Sequence, residues 1–403
     1  MEPFLKDKNV TLGVTGGIAA YKSVELLRLL TKAGARVRVI MTDNARWFVG
    51  PGTFQALSGQ PVCTSVFDEG DAAIRHIDWA QATDLAVIAP ATANCIGKLA
   101  HGIADDALST YMLAVTAPVV ICPAMNSHMY EHPAVRRNIE ILRGYGHVLI
   151  DPDAGQLACG TVGPGRLPEP AFIMAKLAGI VAPDDFAGRT VLVTAGPTRE
   201  AIDPVRFISN PSSGKMGFAI AEAARQRGAK VKLVCGPVDL PAPIDVEVHR
   251  ITSAQEMYDC VMDLVEDAEI VIKTAAVSDY RPVVMAEHKI KKDADRLTLE
   301  LEKTRDILKE IGHRKGNRLV IGFAAETQNL RENATQKLTE KKLDLIVGNV
   351  IGAPDSGFAL DTNQVTFFFP DGSTEKMEVM DKGILAHRLL DRIATILDSD
   401  HRP

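Results

Sequence analysis

Residues 10–41 run VTLGVTGGIAAYKSVELLRLLTKAGARVRVIM, a strand, a glycine turn, a helix and a second strand in succession. Val10 to Val14 is a short apolar run, Thr15-Gly16-Gly17 turns the chain, and Val24, Leu27 and Leu30 then share one helical face. Gly34 stops the helix, and Ala35 to Met41 alternates into the next strand. This is a βαβ unit, with a right-handed crossover by default. Backbone N–H groups and the helix dipole make the loop from Gly13 to Ala19 a place for phosphate, although it lacks the Gly-x-Gly-x-x-Gly spacing. At the end of the second strand, Asp43 is a candidate ribose acid and Thr42 an alternative donor to phosphate.

Further apolar strands are expected at Leu85–Ala89 and Val119–Cys122, each flanked by helical segments, as in a parallel sheet buried on both faces. The pattern restarts at Thr190: strand Val191–Thr194, a Gly196-Pro197 turn, helix Phe218–Arg227 closed by Gly228, and strand Lys230–Val234. Between the halves, Val181 to Gly188 is a polar Pro/Gly linker, which predicts α/β domains over residues 1–188 and 189–403. The second glycine loop, Asn210 to Gly217, looks like a P-loop, but Met216 replaces Ser/Thr and Ser209 stands where the first Gly belongs. About twenty residues separate its strand from its helix, a length typical of functional loops.

A length of 403 residues favours two domains, and a net charge of −6 with 5% aromatics argues against a basic nucleic-acid binder. No apolar run approaches the ~20 residues of a membrane span, and the charged stretch Met1–Asn9 is unlike a signal peptide, so a cytoplasmic location and no membrane partner are expected. Six scattered cysteines fit reduced thiols, mostly small core residues. His128 and His132 are four apart, but Pro133 follows and Glu131 is out of place for a zinc helix, so metal ligands stay unassigned. Residues 190–403 carry 29 Lys+Arg and 33 Asp+Glu against 16 and 18 before them, which makes the second half the home expected for a polyphosphate. Its densest basic cluster is Lys289, Lys291 and Lys292, with Lys337, Lys341 and Lys342 downstream; a solvated face is the bland reading.

Four strings in the first half, VTGGIAAYKS at 14–23, APATANCIGKLAHGIADDALST at 89–110, PAMNSHM at 123–129 and LACGTVGPGR at 157–166, together resemble the flavin-dependent cysteine decarboxylases, in particular phosphopantothenoylcysteine decarboxylase. TAGPTREAIDPVRFISNPSSGKMG at 194–217, TAAVSDYRP at 274–282, KIKK at 289–292 and GFAAET at 322–327 resemble phosphopantothenate–cysteine ligase. Their order, over nearly the whole chain, is similar to that of the bifunctional enzymes of coenzyme A biosynthesis.

For the first half the resemblance implies a flavodoxin-like FMN domain that forms trimers. FMN contacts fall by match on Gly17, Ile18, Ala19, Thr42, Pro90, Ala91, Thr92, Ala93, Asn94 and Met125. The implied reaction oxidises the cysteine moiety towards a thioaldehyde, releases CO₂ to leave an enethiolate, and returns a hydride to it. A flavin supplies the electron sink that this carbanion chemistry needs. Cys159 matches the proton donor, which suits a thiol of ordinary pKa near ~8.5. Asn126 matches the residue that orients the substrate carboxylate, and His76 the active-site histidine that accepts a proton during thiol oxidation.

For the second half the resemblance implies that 4′-phosphopantothenate reacts with CTP to an acyl cytidylate and pyrophosphate, and that cysteine then displaces CMP. Mg²⁺ and lysines are expected to offset the charge of the triphosphate. Lys289 matches the catalytic lysine, and Asn210 the residue that assists conversion of acyl cytidylate to amide. CTP contacts fall by match on Lys273, Thr274, Ala275, Asp279, Lys289, Thr304, Arg305, Asp306, Ile307, Phe323, Lys337 and Lys341. Where many relatives read Asn-Pro-Asp-Ile this chain has Thr304-Arg305-Asp306-Ile307, and where Ala-Asn-Asp is common it has Gly348-Asn349-Val350. A dimeric ligase joined to a trimeric decarboxylase implies a dodecameric homo-oligomer. Competing readings are an NAD(P) oxidoreductase, disfavoured by the missing glycine spacing, and a catalytically inert flavoprotein, against which Cys159, His76 and Asn126 stand.

Overall fold

The computed structural model describes residues 3–65, 72–156, 162–291, 297–326, 328–350 and 360–400. The chain forms two compact units that meet in sequence at Ala182 and Pro183.

The first unit opens with β1 (Asn9–Val14), α1 (Ala20–Lys32), β2 (Arg36–Met41), α2 (Pro51–Ser58), α3 (Ala72–Ala82) and β3 (Leu85–Ala91). Then come α4 (Ala93–His101), α5 (Ala107–Ala114), β4 (Val119–Pro123), α6 (Ser127–Glu131), α7 (Pro133–Gly144) and β5 (Val148–Leu149). The hairpin strands β6 (Asp153–Gln156) and β7 (Val162–Arg166) and helix α8 (Pro170–Val181) complete it. Its main sheet is parallel throughout, in the order β2-β1-β3-β4-β5. Every residue of β3 and β4 is buried, as their unbroken apolar sequence requires of strands covered on both faces. Leu26, Leu27 and Leu30 of α1 pack with Phe54 and Ile173 on one face; Ile96, Leu108, Tyr111 and Leu142 cover the other. The Tyr111 hydroxyl, inside that second layer, is hydrogen-bonded to Thr11 at 2.7 Å.

The second unit begins with β8 (Thr190–Ala195), the short pair β9 (Arg199–Ala201) and β10 (Phe207–Ser209), α9 (Lys215–Gln226), β11 (Lys230–Cys235), β12 (Glu247–Arg250), α10 (Ala254–Leu264) and β13 (Ile270–Lys273). It continues through β14 (Tyr280–Pro282), β15 (Leu301–Lys303), α11 (Ile307–His313), β16 (Leu319–Glu326), α12 (Leu330–Glu340) and β17 (Leu345–Val350). Strands β18 (Thr362–Asn363), β19 (Val365–Phe368), β20 (Thr374–Lys376) and β21 (Met380–Asp381) precede the long helix α13 (Lys382–Asp400). The sheet order is β12-β11-β8-β13-β16-β17-β19-β20. It is parallel as far as β17 and antiparallel at its last two strands, so this second sheet is mixed. Helices α9 and α13 cover one face through Phe218, Ile220, Leu389 and Ile393, and α10 to α12 cover the other through Met257, Ile311 and Leu338.

The division precedes the boundary expected at residue 188 because Phe186 is fully buried in the second core and its N–H donates to the Arg227 carbonyl. Arg227, buried at the end of α9, bonds Asp185, Asp391 at 2.8 Å and the His387 carbonyl at 3.1 Å, with its guanidinium 5.1 Å above the Phe186 ring. The Asp185 and Asp391 side chains are 34% and 43% exposed, so water can take over part of their compensation. Arg227→Ala, which removes a buried side chain and its hydrogen bonds, should destabilise the second unit by about 1–2 kcal/mol, read as a lower urea midpoint with the first unit's transition unmoved.

Candidate active sites

In the first unit the chain reverses at the carboxyl ends of β1, β3 and β4, and these loops converge. The Thr15 hydroxyl donates to the Pro90 carbonyl at 2.8 Å and accepts from the Thr92 N–H at 3.0 Å, which joins the loops after β1 and β3. Ala124 N–H donates to the Ala91 carbonyl and Met125 N–H to the Gly165 carbonyl, which adds the loop after β4 and strand β7. Close approach requires glycine here: a Cβ on Gly16 would lie 2.4 Å from the Asn44 Cβ, and one on Gly165, at φ +135°, would lie 2.1 Å from the Met125 oxygen. Between these loops is a cavity of about 540 Å³.

Seven expected FMN-site or catalytic residues line it: Gly17, Ile18, Ala19, Thr92, Ala93, Met125 and Asn126. Pro90, Ala91 and Asn94 do not; Pro90 and Ala91 hold the loops through their carbonyls, and Asn94 is exposed on α4. Thr42 is outside the lining as well, and its hydroxyl is buried with no hydrogen-bond partner among the described residues. Asp43, the candidate ribose acid, is exposed and faces Arg46 at 3.5 Å. His76 lies within α3, but its side chain, like all of Cys159, is outside the described residues. The Asn126 side-chain oxygen accepts from the His128 N–H at 2.9 Å, which turns its amide so that NH₂ is the donating end. Sequence reading missed Lys22 and Arg166. Lys22 is buried on α1, where its ammonium donates to the Leu167 carbonyl and Glu169 at 2.9 Å each, and Arg166 meets Glu169 at 2.7 Å. The Lys22 hydrogen bond holds the Glu169 carboxyl below its ordinary range. A lysine on the apolar side of a helix was the available signal.

The second unit repeats the device. The Thr274 hydroxyl donates to the Thr194 carbonyl at 2.6 Å, and the Thr194 hydroxyl accepts from the Ala275 N–H at 3.2 Å. Asn210 reaches across to donate to the Ala276 carbonyl at 3.0 Å. Gly217 lets α9 approach this junction, since its Cβ would lie 2.5 Å from that of Ala195. The resulting cavity, about 430 Å³, is lined by Asn210, Lys273, Thr274, Ala275 and Phe323 among the expected residues. Burial, and then the positive charge of Lys341, push the Lys273 ammonium down to about 8 against the opposing pull of Asp306 and Asp279.

The other expected CTP residues stand outside the lining. Lys337 pairs with Glu326 at 2.6 Å and Lys341 with Asp306 at 2.8 Å; Asp306 also caps α11 by accepting from the Lys309 N–H. Thr304 donates to the Ser278 carbonyl, Ile307 is buried as the first residue of α11, and Arg305 turns away to lie 4.7 Å over the Tyr258 ring. Asp279 is exposed, with its carbonyl accepting from Thr304 N–H. Lys289 and Lys291 are exposed and outside the lining; Lys292 is outside the described residues. The cavity instead acquires Lys215, Asn349, Asn363 and Lys382, of which only Lys215 and Asn349 drew notice in the sequence.

Residues 3–182 match the model of the family described as Flavoprotein, and residues 186–397 that of the DNA/pantothenate metabolism flavoprotein C-terminal domain. The chain is 51% identical over 397 residues to the Coenzyme A biosynthesis bifunctional protein CoaBC of Bacillus subtilis (strain 168), covering 97% of this chain and 98% of that one. Against the protein of the same name from Escherichia coli (strain K12) the identity is 45% over 404 residues, covering 99% of each. A crystal structure of the C-terminal domain of a Coenzyme A biosynthesis bifunctional protein CoaBC is 43% identical and covers 54% of this chain and 99% of that one, with a TM-score of 0.47. The chain belongs to the family of coenzyme A biosynthesis bifunctional proteins.

Proposed function

We propose that this chain makes 4′-phosphopantetheine in two steps, joining cysteine to 4′-phosphopantothenate in its second unit and decarboxylating the product in its first. The observation that carries the reading is one cavity at the carboxyl edge of each sheet, each lined by the loops that bear its half of the matched motifs.

In the second unit the 4′-phosphopantothenate carboxylate attacks the α-phosphorus of CTP and pyrophosphate leaves. The cysteine amine then attacks the acyl carbon, CMP departs, and the amine proton passes to solvent. Lys273 and the N-terminal turn of α9 supply positive potential along the cavity. Asn210, fixed by the Ala276 carbonyl, is the amide assigned to the acyl cytidylate, and Lys289 the lysine assigned to the transferring phosphate. Mg²⁺ is assigned to the triphosphate with no protein ligand named.

The first cavity suits FMN: its glycine loop opens onto α1, where backbone N–H groups favour phosphate, and its walls are mostly apolar. Gly17, Ile18 and Ala19 are assigned to the phosphate and Met125 to the ring, and Thr42, whose buried hydroxyl has no partner among the described residues, is assigned to FMN by its motif match. When bound, the flavin supplies the electron sink for decarboxylation. Asn126 holds the substrate carboxylate through its NH₂, His76 takes the thiol proton, and Cys159 delivers a proton to carbon. Ile18, Tyr21 and Met129, 62%, 61% and 49% exposed, leave an apolar rim that a neighbouring copy covers in the proposed trimer. With a dimeric second unit the assembly is a dodecamer. No helix among the described residues is long and apolar enough to cross a membrane, and we assign the protein to the cytoplasm.

Mass spectrometry of products from 4′-phosphopantothenate, cysteine, CTP and Mg²⁺ tests the reading, with CTP omitted as control. CTP-dependent 4′-phosphopantetheine is expected; accumulation of 4′-phosphopantothenoylcysteine removes the decarboxylase assignment, and no reaction removes both. Cys159→Ser should release CO₂ yet accumulate the oxidised enethiol; normal product from this variant would dismiss Cys159 as the acid. Gly165→Ala should drive a methyl group into the Met125 carbonyl and reduce co-purifying flavin absorbance several-fold, whereas wild-type flavin content would show that this wall is irrelevant to the cofactor.

A further inference from the structure

We propose that Lys215 and Lys382 form a phosphoryl-binding pair at one end of the second unit's cavity. The inference rests on reading that unit as a CTP-dependent ligase, and it assigns the charge work to lysines outside the basic runs that stand out in the sequence.

Lys215 is the first residue of α9 and Lys382 the first of α13, two helices packed side by side on one face of the sheet. Both line the 430 Å³ cavity, together with the Asn210–Gly217 loop, and both also line a second cavity of about 490 Å³. Lys382 is only 5% exposed. Burial, and then the neighbouring Lys215 charge, make its ammonium easier to deprotonate, and Asp361 opposes this. Two cations placed close enough to repel each other in a partly desolvated wall are relieved by an anion between them.

Lys382 donates to the Leu360 carbonyl, which brings no charge. Lys215 meets Asp361 at 2.7 Å, and the carboxylate is held below its ordinary range by that hydrogen bond, but its side chain is 81% exposed. Such an ion pair is weak in water and is open to exchange for a phosphoryl oxygen. Asn363, also in the lining, accepts from the Gln364 N–H through its side-chain oxygen. By contrast, Lys337 and Lys341 are tied to Glu326 and Asp306 and do not line the cavity. The phosphoryl group has two possible sources with the same chemistry, the triphosphate of CTP and the phosphate ester of 4′-phosphopantothenate.

Titration calorimetry of the intact chain with each ligand separately, for wild type, Lys215→Met and Lys382→Met, distinguishes them. Loss of one charge-assisted hydrogen bond should weaken binding about 10- to 100-fold. A loss confined to CTP assigns the pair to the triphosphate, and one confined to 4′-phosphopantothenate assigns it to that ester. Unchanged affinity for both ligands in both variants overturns the pair, as does a loss matched by a lower unfolding midpoint. If Lys382→Met fails to fold, Lys215→Met decides, because the Lys215 side chain is 34% exposed and its removal opens no core cavity. Wild-type protein that binds neither ligand overturns the ligase reading itself, and the pair with it.

Discussion

A buried threonine at the end of the first strand holds each site together. Thr15 in the first unit and Thr194 in the second are 1% and 0% exposed, and each bonds the loop that follows the adjacent strand of its sheet, at Pro90–Thr92 and at Thr274–Ala275. Parallel strands leave carbonyl groups unpaired where the ladder ends, and a buried carbonyl or N–H without a partner is costly. The threonine supplies those partners inside the protein, so the loops need no water at their base and stay close enough to enclose a cavity. The cavity-lining residues that read as chemistry, Gly17, Thr92, Met125 and Asn126 in one unit and Asn210, Lys273, Thr274 and Ala275 in the other, stand on the loops joined at that junction.

Glycine works with the threonines. Gly165 and Gly217 are not turn residues in the usual sense; a methyl group at either would strike the opposing loop or strand at 2.1 Å or 2.5 Å. Both sites are therefore built by close backbone approach, with side chains at the rim. This explains how a chain with little aromatic content makes cavities of 540 and 430 Å³ without large side chains propping them open.

The architecture was readable because parallel strands covered on both faces must be apolar runs, and Val10–Val14, Leu85–Ala89, Val119–Cys122 and Val191–Thr194 all lie in strands. The antiparallel additions β19 and β20 were not read, since VTFF and TEK are too short to separate from loop. Within the sites, residues inside the matched motifs at the carboxyl ends of strands, such as Met125, Asn126 and Lys273 to Ala275, were legible, and Lys382, delivered by the last helix, was not. Lys382 reaches the second cavity only because α13 packs on α9, more than 160 residues earlier in the chain. Arg305 shows the opposite failure: it sits inside a matched motif, yet the attraction of its guanidinium to the Tyr258 ring takes it elsewhere.

Net charge concealed the second site for the same reason. The chain is acidic by six, and lysines that stand out in its sequence, such as Lys337 and Lys341, are matched by carboxylates within salt-bridge distance. Such pairs cost little to keep at the surface and bring little net potential to a ligand. A lysine influences an anion strongly only where water is partly excluded and its carboxylate is remote or exposed. Lys273, pushed down to about 8 by burial and by Lys341, meets that condition, and a bound anion would draw its proton affinity back up. The potential that matters in this unit is therefore set by burial at the ends of β13, α9 and α13, and lysine density along the sequence is a poor guide to it.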